Sequence, residues 1–169
     1  MESLPRLLTA VLEIDDVGCC GEISSMEKVL CVCLANSSRS PMMQAVLQQH
    51  LGRAFQVESA GIRKQGTGLG ANQRSILCMN ERGIDLTGHV RRYIGELDLR
   101  QYSWIVCVGP KEAEHVRAAI GDAATTILVA NAQSGGIPDP YDLGLQGYRD
   151  CLALLDVVMP EIARQIAAA

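Results

Sequence analysis

The chain is 169 residues long, 48% hydrophobic and only 4% aromatic. It can therefore bury one domain-sized core, built from Leu, Ile, Val, Ala and Met. A formal net charge of −4 argues against nucleic acid as the main partner, which needs a basic surface excess, and the hydrophobicity excludes intrinsic disorder.

Residues 1–26 read as an N-terminal extension of unassigned role, with helical character from Leu4 to Glu13. Glu2 precedes its weakly apolar part and Glu13, Asp15 and Asp16 follow, which is not a secretory pattern. Residues 27–169 read as one domain. Lys28 to Cys33 is a continuous apolar run, as a strand covered on both faces should be. Ser40-Pro41 opens a helix, with Ser40 as the expected N-cap and Gly52 as the stop. Met43, Val46, Leu47 and Leu51 mark its buried face. Phe55 to Ser59 reads as a second strand, and residues 71–82 as a second helix closed by Gly83.

Ser103 to Val108 is a third strand, Lys111 to Ile120 a third helix, and Thr125 to Ala130 a fourth strand. Leu155, Met159, Ile162 and Ile166 follow at helical spacing, with Pro160 expected to kink or split that last helix. Short strands separated by helices predict a single-domain, three-layer α/β/α fold, with a four-stranded parallel sheet and helices on both faces.

The seven cysteines cannot all pair within the chain, and none has zinc-ligand spacing. Reduced, mostly buried thiols predict a cytoplasmic protein with neither metal nor cofactor. No apolar run has the length of a membrane span, so no membrane partner is expected.

The chemistry concentrates in Cys33-Leu34-Ala35-Asn36-Ser37-Ser38-Arg39-Ser40-Pro41. A Cys ends a buried strand, an Arg follows six positions later, and a helix starts at once. Ligands of open α/β sheets bind beyond the carboxyl ends of the strands. There the N–H groups of Leu34, Ala35, Asn36, Ser37 and Ser38, with the helix's first turn, predict an anion cradle. Arg39 adds a fork for two oxygens of phosphate or sulfate. The same positive surroundings should lower the pKa of Cys33 and leave it an exposed thiolate. Such a thiolate can attack phosphorus in line and take the phosphoryl group, with Ser40 hydrogen-bonded to the sulfur to ease its departure.

This loop resembles the phosphate-binding loop of the low-molecular-weight protein tyrosine phosphatases. Glu58-Ser59-Ala60-Gly61, Gly83-Ile84-Asp85-Leu86-Thr87-Gly88-His89 and Asp139-Pro140-Tyr141 are similar to further segments of that family, in the same order. The resemblance implies hydrolysis of protein phosphotyrosine through a phosphocysteine. Asp139 is then the general acid, since its Pro-fixed loop follows the fourth strand and can lie over the carboxyl edge of the sheet. The resemblance also implies that Tyr141 stacks on the substrate ring, and that Asn36, Ser40, Ser59 and His89 hold the loop in shape.

The chain departs from the family pattern at several places. Ala35 replaces a glycine, which would cost roughly 1 kcal/mol if its φ were positive. Ser38 replaces a second loop cysteine, Gly109 replaces an aspartate, and no aromatic follows Gly61, where Arg63, Lys64 and Gln65 stand instead. Ser37 resembles the small hydroxyl residue of the related protein arginine phosphatases. That activity, an arsenate reductase of the same fold, and a catalytically weakened phosphate-binding relative are the alternative readings.

Overall fold

The computed structural model describes residues 26–169; the extension and its expected helix lie outside the described residues. Four strands carry the centre: β1 (Glu27–Cys33), β2 (Phe55–Gly61), β3 (Trp104–Cys107) and β4 (Thr126–Val129), all parallel, in the order β2-β1-β3-β4. Four helices connect and flank them: α1 (Arg39–Leu51), α2 (Gln73–Asn80), α3 (Pro110–Ile120) and α4 (Gly144–Ala167). Each strand and helix read from residues 27–169 is present, with bounds that differ by a few residues.

Strand β1 is the spine. Val29, Leu30, Cys31, Val32 and Cys33 are 0–3% exposed, because the strand has a neighbour on each side and a layer on each face. On one face Val29, Cys31 and Cys33 meet Met43, Val46 and Leu47 of α1 and Leu152, Leu155 and Met159 of α4. On the other, Leu30 and Val32 meet Ala113 and Val116 of α3, together with Ile94, Leu99 and Tyr102 from the 3-10 turns before β3. The core is aliphatic, as the aromatic poverty requires; Tyr102 and Tyr148 are the largest fully buried side chains.

Two expectations are corrected. Helix α1 begins at Arg39 after Ser38, not after Ser40, and Ser38 makes no capping hydrogen bond. Ser40 lies inside the first turn, where its hydroxyl is free for another partner. Helix α4 is not split at Pro160 but runs through it as one element of 24 residues. Proline removes a single helical hydrogen bond, and the burial of Leu155, Met159, Ile162 and Ile166 on both sides of it holds the helix together.

The strand order places the active end. The connection from β1 leads to β2 on one side, and the chain then crosses back to β3 on the other. A crevice opens where the connections diverge, at the carboxyl ends of β1 and β3. Cys33 is the last residue of β1, so the loop after it stands at this point.

Candidate active site

A cavity of about 480 Å³ opens at the switch point, lined by Cys33, Leu34, Ala35, Ser37, Ser38 and Arg39, with Asp139 and Tyr141. Cys33 is not an exposed residue as expected; it is 3% exposed and meets the cavity from its floor. Asn36 and Ser40, expected to touch phosphate as well as support the loop, are 0% exposed and stand behind the cavity wall.

The reason is a chain of hydrogen bonds centred on Asn36. Its amide nitrogen donates to Ser40 Oγ and to Ser59 Oγ, each at 2.9 Å. Ser59 Oγ in turn donates to Gln44 Oε1 at 2.6 Å. Ser40 has one proton, which its accepted bond leaves free to point at Cys33 Sγ, 3.0 Å away. The backbone N–H of Asn36 donates to the same sulfur at 3.2 Å. Two donors thus converge on Sγ, an arrangement suited to a sulfur carrying negative charge.

Asn36 itself is held from outside the loop. Its Oδ1 accepts from Arg92 N at 2.8 Å and its carbonyl accepts from His89 Nε2 at 2.9 Å. Since a carbonyl only accepts, His89 carries its proton on Nε2. Burial lowers the His89 pKa below the usual 6.5, and the charges of Arg92 and Arg91 add to this against the bond to Asn36. The folded chain therefore keeps His89 neutral where an unfolded chain would protonate it. Its contribution to stability is complete above 6.5 and is lost as pH falls through that value toward the lowered one. Urea unfolding at pH 7.5 and pH 5.5 should show lower stability at the acid value, and His89→Gln should remove part of that difference.

Asn36 also resolves the question of Ala35. The left-handed residue of the loop is Asn36, with φ 52°, and Ala35 is not among the positive-φ residues. Asparagine tolerates that region better than most residues, so Ala35 carries no such strain. The turn after β2 instead needs glycine for space. A Cβ at Gly61 would lie 2.9 Å from Ala35 C and Asn36 N, both backbone atoms of the loop. Gly61→Ala should push the loop off its sulfur, costing about 1–3 kcal/mol of stability together with activity. An unfolding midpoint equal to that of the parent would show that the loop has room to spare.

Asp139 reaches the cavity on a segment tied to the end of β3. Ile137 N donates to Val108 O at 2.7 Å. Gly136, with φ 110°, packs so closely that a Cβ there would fall 2.4 Å from the same carbonyl. Both ends of the Arg39 fork hold this segment: Nη1 donates to Ile137 O at 3.0 Å and Nη2 to Asp139 Oδ2 at 2.7 Å. Asp139 is 47% exposed at the rim, and Tyr141 beside it is 59% exposed.

The fold adds residues that sequence reasoning did not single out. Arg92 donates through Nε and Nη2 to Ser59 O at 3.1 and 2.9 Å, and through Nη1 to Glu58 Oε2 at 2.8 Å. Tyr102 also donates to that Glu58 oxygen, at 2.7 Å. Burial opposes the Glu58 charge, but the bonds from Tyr102 and Arg92 outweigh it and hold the carboxyl below its ordinary value. Beneath the loop, Ser38 Oγ and the buried Tyr148 hydroxyl lie 3.2 Å apart, so Ser38 finds a polar partner in the core. Asn72 braces the loop through its N–H to Ser37 O at 2.7 Å. The only sequence signal for Arg92 was its place three residues after His89. Among the described residues no group of three or more His, Cys, Asp or Glu is placed to hold a metal ion.

Comparison with known proteins agrees with this fold. The profile of the low molecular weight phosphotyrosine protein phosphatase family matches residues 28–169. The low molecular weight protein-tyrosine-phosphatase Ptp of Acinetobacter johnsonii is 30% identical over 116 residues, 68% of this chain and 80% of the relative. YfkJ of Bacillus subtilis, named likewise, is 27% identical over 130 residues, 70% of this chain and 83% of its own. Among solved structures, Vibrio vulnificus Wzb in complex with benzylphosphonate has a TM-score of 0.72 at 26% identity, covering 83% of this chain and 99% of that one. A protein tyrosine phosphatase of Entamoeba histolytica shares the fold at a TM-score of 0.75 and 20% identity, covering 84% and 97%.

Proposed function

From a chain that belongs to the low molecular weight phosphotyrosine protein phosphatase family, we propose a protein-tyrosine phosphatase that works through a phosphocysteine on Cys33. The observation that carries this reading is the pair of donors on one sulfur, Asn36 N–H at 3.2 Å and Ser40 Oγ at 3.0 Å. That sulfur lies at the floor of a cavity with Arg39 and Asp139 at its side. Wzb of Vibrio vulnificus holds benzylphosphonate, a group close in shape to a phosphotyrosyl side chain, which supports an aryl phosphate here.

In the first step the Cys33 thiolate attacks phosphorus, an S–P bond forms and the P–O bond to the tyrosine breaks. Asp139, protonated, gives its proton to the departing phenolic oxygen. In the second step the Asp139 carboxylate takes a proton from water, the water oxygen attacks phosphorus, and the S–P bond breaks. Inorganic phosphate and the thiolate result, the latter again held by Ser40. Substrate phosphate competes with Asp139 for the Arg39 fork, so binding releases Asp139 from its ion pair. Tyr141 at the rim would stack on the substrate ring.

Ser37, which lines the cavity, favours a second reading as a protein arginine phosphatase. Arsenate reduction by a cysteine relay has less support. Cys107 is 0% exposed, and burial, with the charge of Glu112, pushes its thiol up to about 12. The described cysteines are all unpaired. Steady-state hydrolysis of matched phosphotyrosine and phosphoarginine peptides tests the assignment. Faster turnover of phosphotyrosine is expected; faster turnover of phosphoarginine would replace it with the second reading.

A further inference from the structure

The mouth of the cavity carries a set of arginines that the chemistry of dephosphorylation does not use. Arg63 and Arg91 line it above Arg39, and Arg74 Nη1 donates to Tyr141 O at 3.3 Å, which sets a further guanidinium at the rim. Five arginines elsewhere are matched. Arg82, Arg92, Arg100, Arg149 and Arg164 each lie against a carboxylate. Among the described residues Arg63, Arg74 and Arg91 have no such partner within 4.0 Å. Arg53 and Arg117 share that condition, but Arg117 lies in the last turn of α3, where the helix dipole takes a cation, and Arg53 lies in the short 3-10 turn that follows α1, away from the cavity.

Arg91 is also braced in place. Its Nε donates to Gly70 O at 2.7 Å. Its backbone N donates to Leu69 O at 2.8 Å, and its carbonyl accepts from Gly68 N at 2.9 Å. Half-buried and fixed by the 66–70 loop, it keeps its terminal nitrogens for a ligand at little further cost in ordering. Arg63 is exposed, but its backbone is fixed to the phosphate loop by a 2.9 Å bond to Leu34 O. Opposing charge at the lining is small. Asp139 is taken up by Arg39, which leaves Asp142 as the other lining carboxylate. A chain of net charge −4 thus concentrates positive charge where its substrate enters.

We propose that Arg63 and Arg91 make this enzyme selective for phosphotyrosine flanked by Asp or Glu, with carboxylates of the peptide next to the phosphotyrosine pairing with the two guanidiniums. The inference rests on the phosphatase reading and names its substrate class. With no aromatic in residues 62–66, the grip on flanking residues is by charge. It acts at the rim, where salt screens it.

The test compares kcat/KM on phosphotyrosine peptides of one length whose flanking residues are Glu, Gln or Lys, with p-nitrophenyl phosphate as a peptide-free substrate. At low ionic strength the Glu peptide should exceed the Gln peptide by about 10-fold, mainly through KM, and the ratio should shrink toward 1 in roughly 0.5 M salt. The double variant Arg63→Gln/Arg91→Gln should bring the low-salt ratio to about 1, whereas Arg63→Lys/Arg91→Lys should keep most of it. Equal kcat/KM on the Glu and Gln peptides, preference for Lys, or a ratio that survives the double glutamine variant would overturn the inference and leave the phosphatase reading intact. Failure of the parent to hydrolyse p-nitrophenyl phosphate or any peptide would overturn both.

Discussion

A Cys33→Ser variant should lose p-nitrophenyl phosphate turnover by about 10⁴-fold or more and still bind inorganic phosphate. The two expectations come from different atoms. Turnover needs a nucleophile that is negative before it attacks. A serine hydroxyl at the same place is not, and the structure puts no base within the hydrogen-bonding set of Cys33 to make it so: its partners are the Asn36 N–H and the Ser40 hydroxyl, both donors. Binding depends on the loop and on Arg39, whose bonds to the 137–139 segment do not involve the sulfur. Stopped assays with phosphate titrated by calorimetry would separate the two. Turnover near the parent rate would end the assignment of Cys33 as nucleophile. A phosphocysteine trapped by acid quench from the parent and missing from the variant would support it directly.

Asp139→Asn is expected to slow phenyl phosphate by about 10²–10³-fold and 2,4-dinitrophenyl phosphate by much less. A phenolate that is a poor leaving group needs a proton as the P–O bond breaks, whereas a dinitrophenolate departs without one. Asparagine keeps the shape and the backbone bond to Tyr141 N but cannot transfer a proton. It also cannot form the 2.7 Å ion pair with Arg39. The freed guanidinium should then bind phosphate more tightly, so KM should fall while kcat falls. Equal loss on both esters would remove the general-acid role and leave Asp139 as the partner of Arg39.

Much of the fold was legible because its signals are local. A buried parallel strand must be apolar along its length, and Val29 to Cys33 reads so. Helix α1 shows its buried side through Met43, Val46, Leu47 and Leu51, and Gly52 ends it with φ 66°. The corrections fall where contacts made in the folded chain overrule a local rule. Ser40 has the composition of an N-cap, but Asn36 and Cys33 claim its hydroxyl. Pro160 was expected to kink or split the last helix, but α4 continues through it as one element with buried residues on both sides. Whether Ala35 carries a positive φ was open in the sequence, and the structure puts that φ one residue later, on Asn36.

The sequence by itself determined the family and singled out the Cys33 and Arg39 of the proposed mechanism, because strand, loop and helix are contiguous and each residue type has a physical reason to be there. It also indicated, through its cysteines within apolar runs and its few aromatics, an aliphatic core and buried thiols, as the described residues have. Only the tertiary structure decided what holds that loop. Arg92, Glu58 and Tyr102 come from three separate segments to fix Ser59 and Asn36, and no spacing rule joins them. It alone placed Asp139 against Arg39, and gathered Arg63, Arg74 and Arg91 at one mouth. Convergence of this kind follows from strand order and loop path, which bring together side chains that lie far apart along the chain.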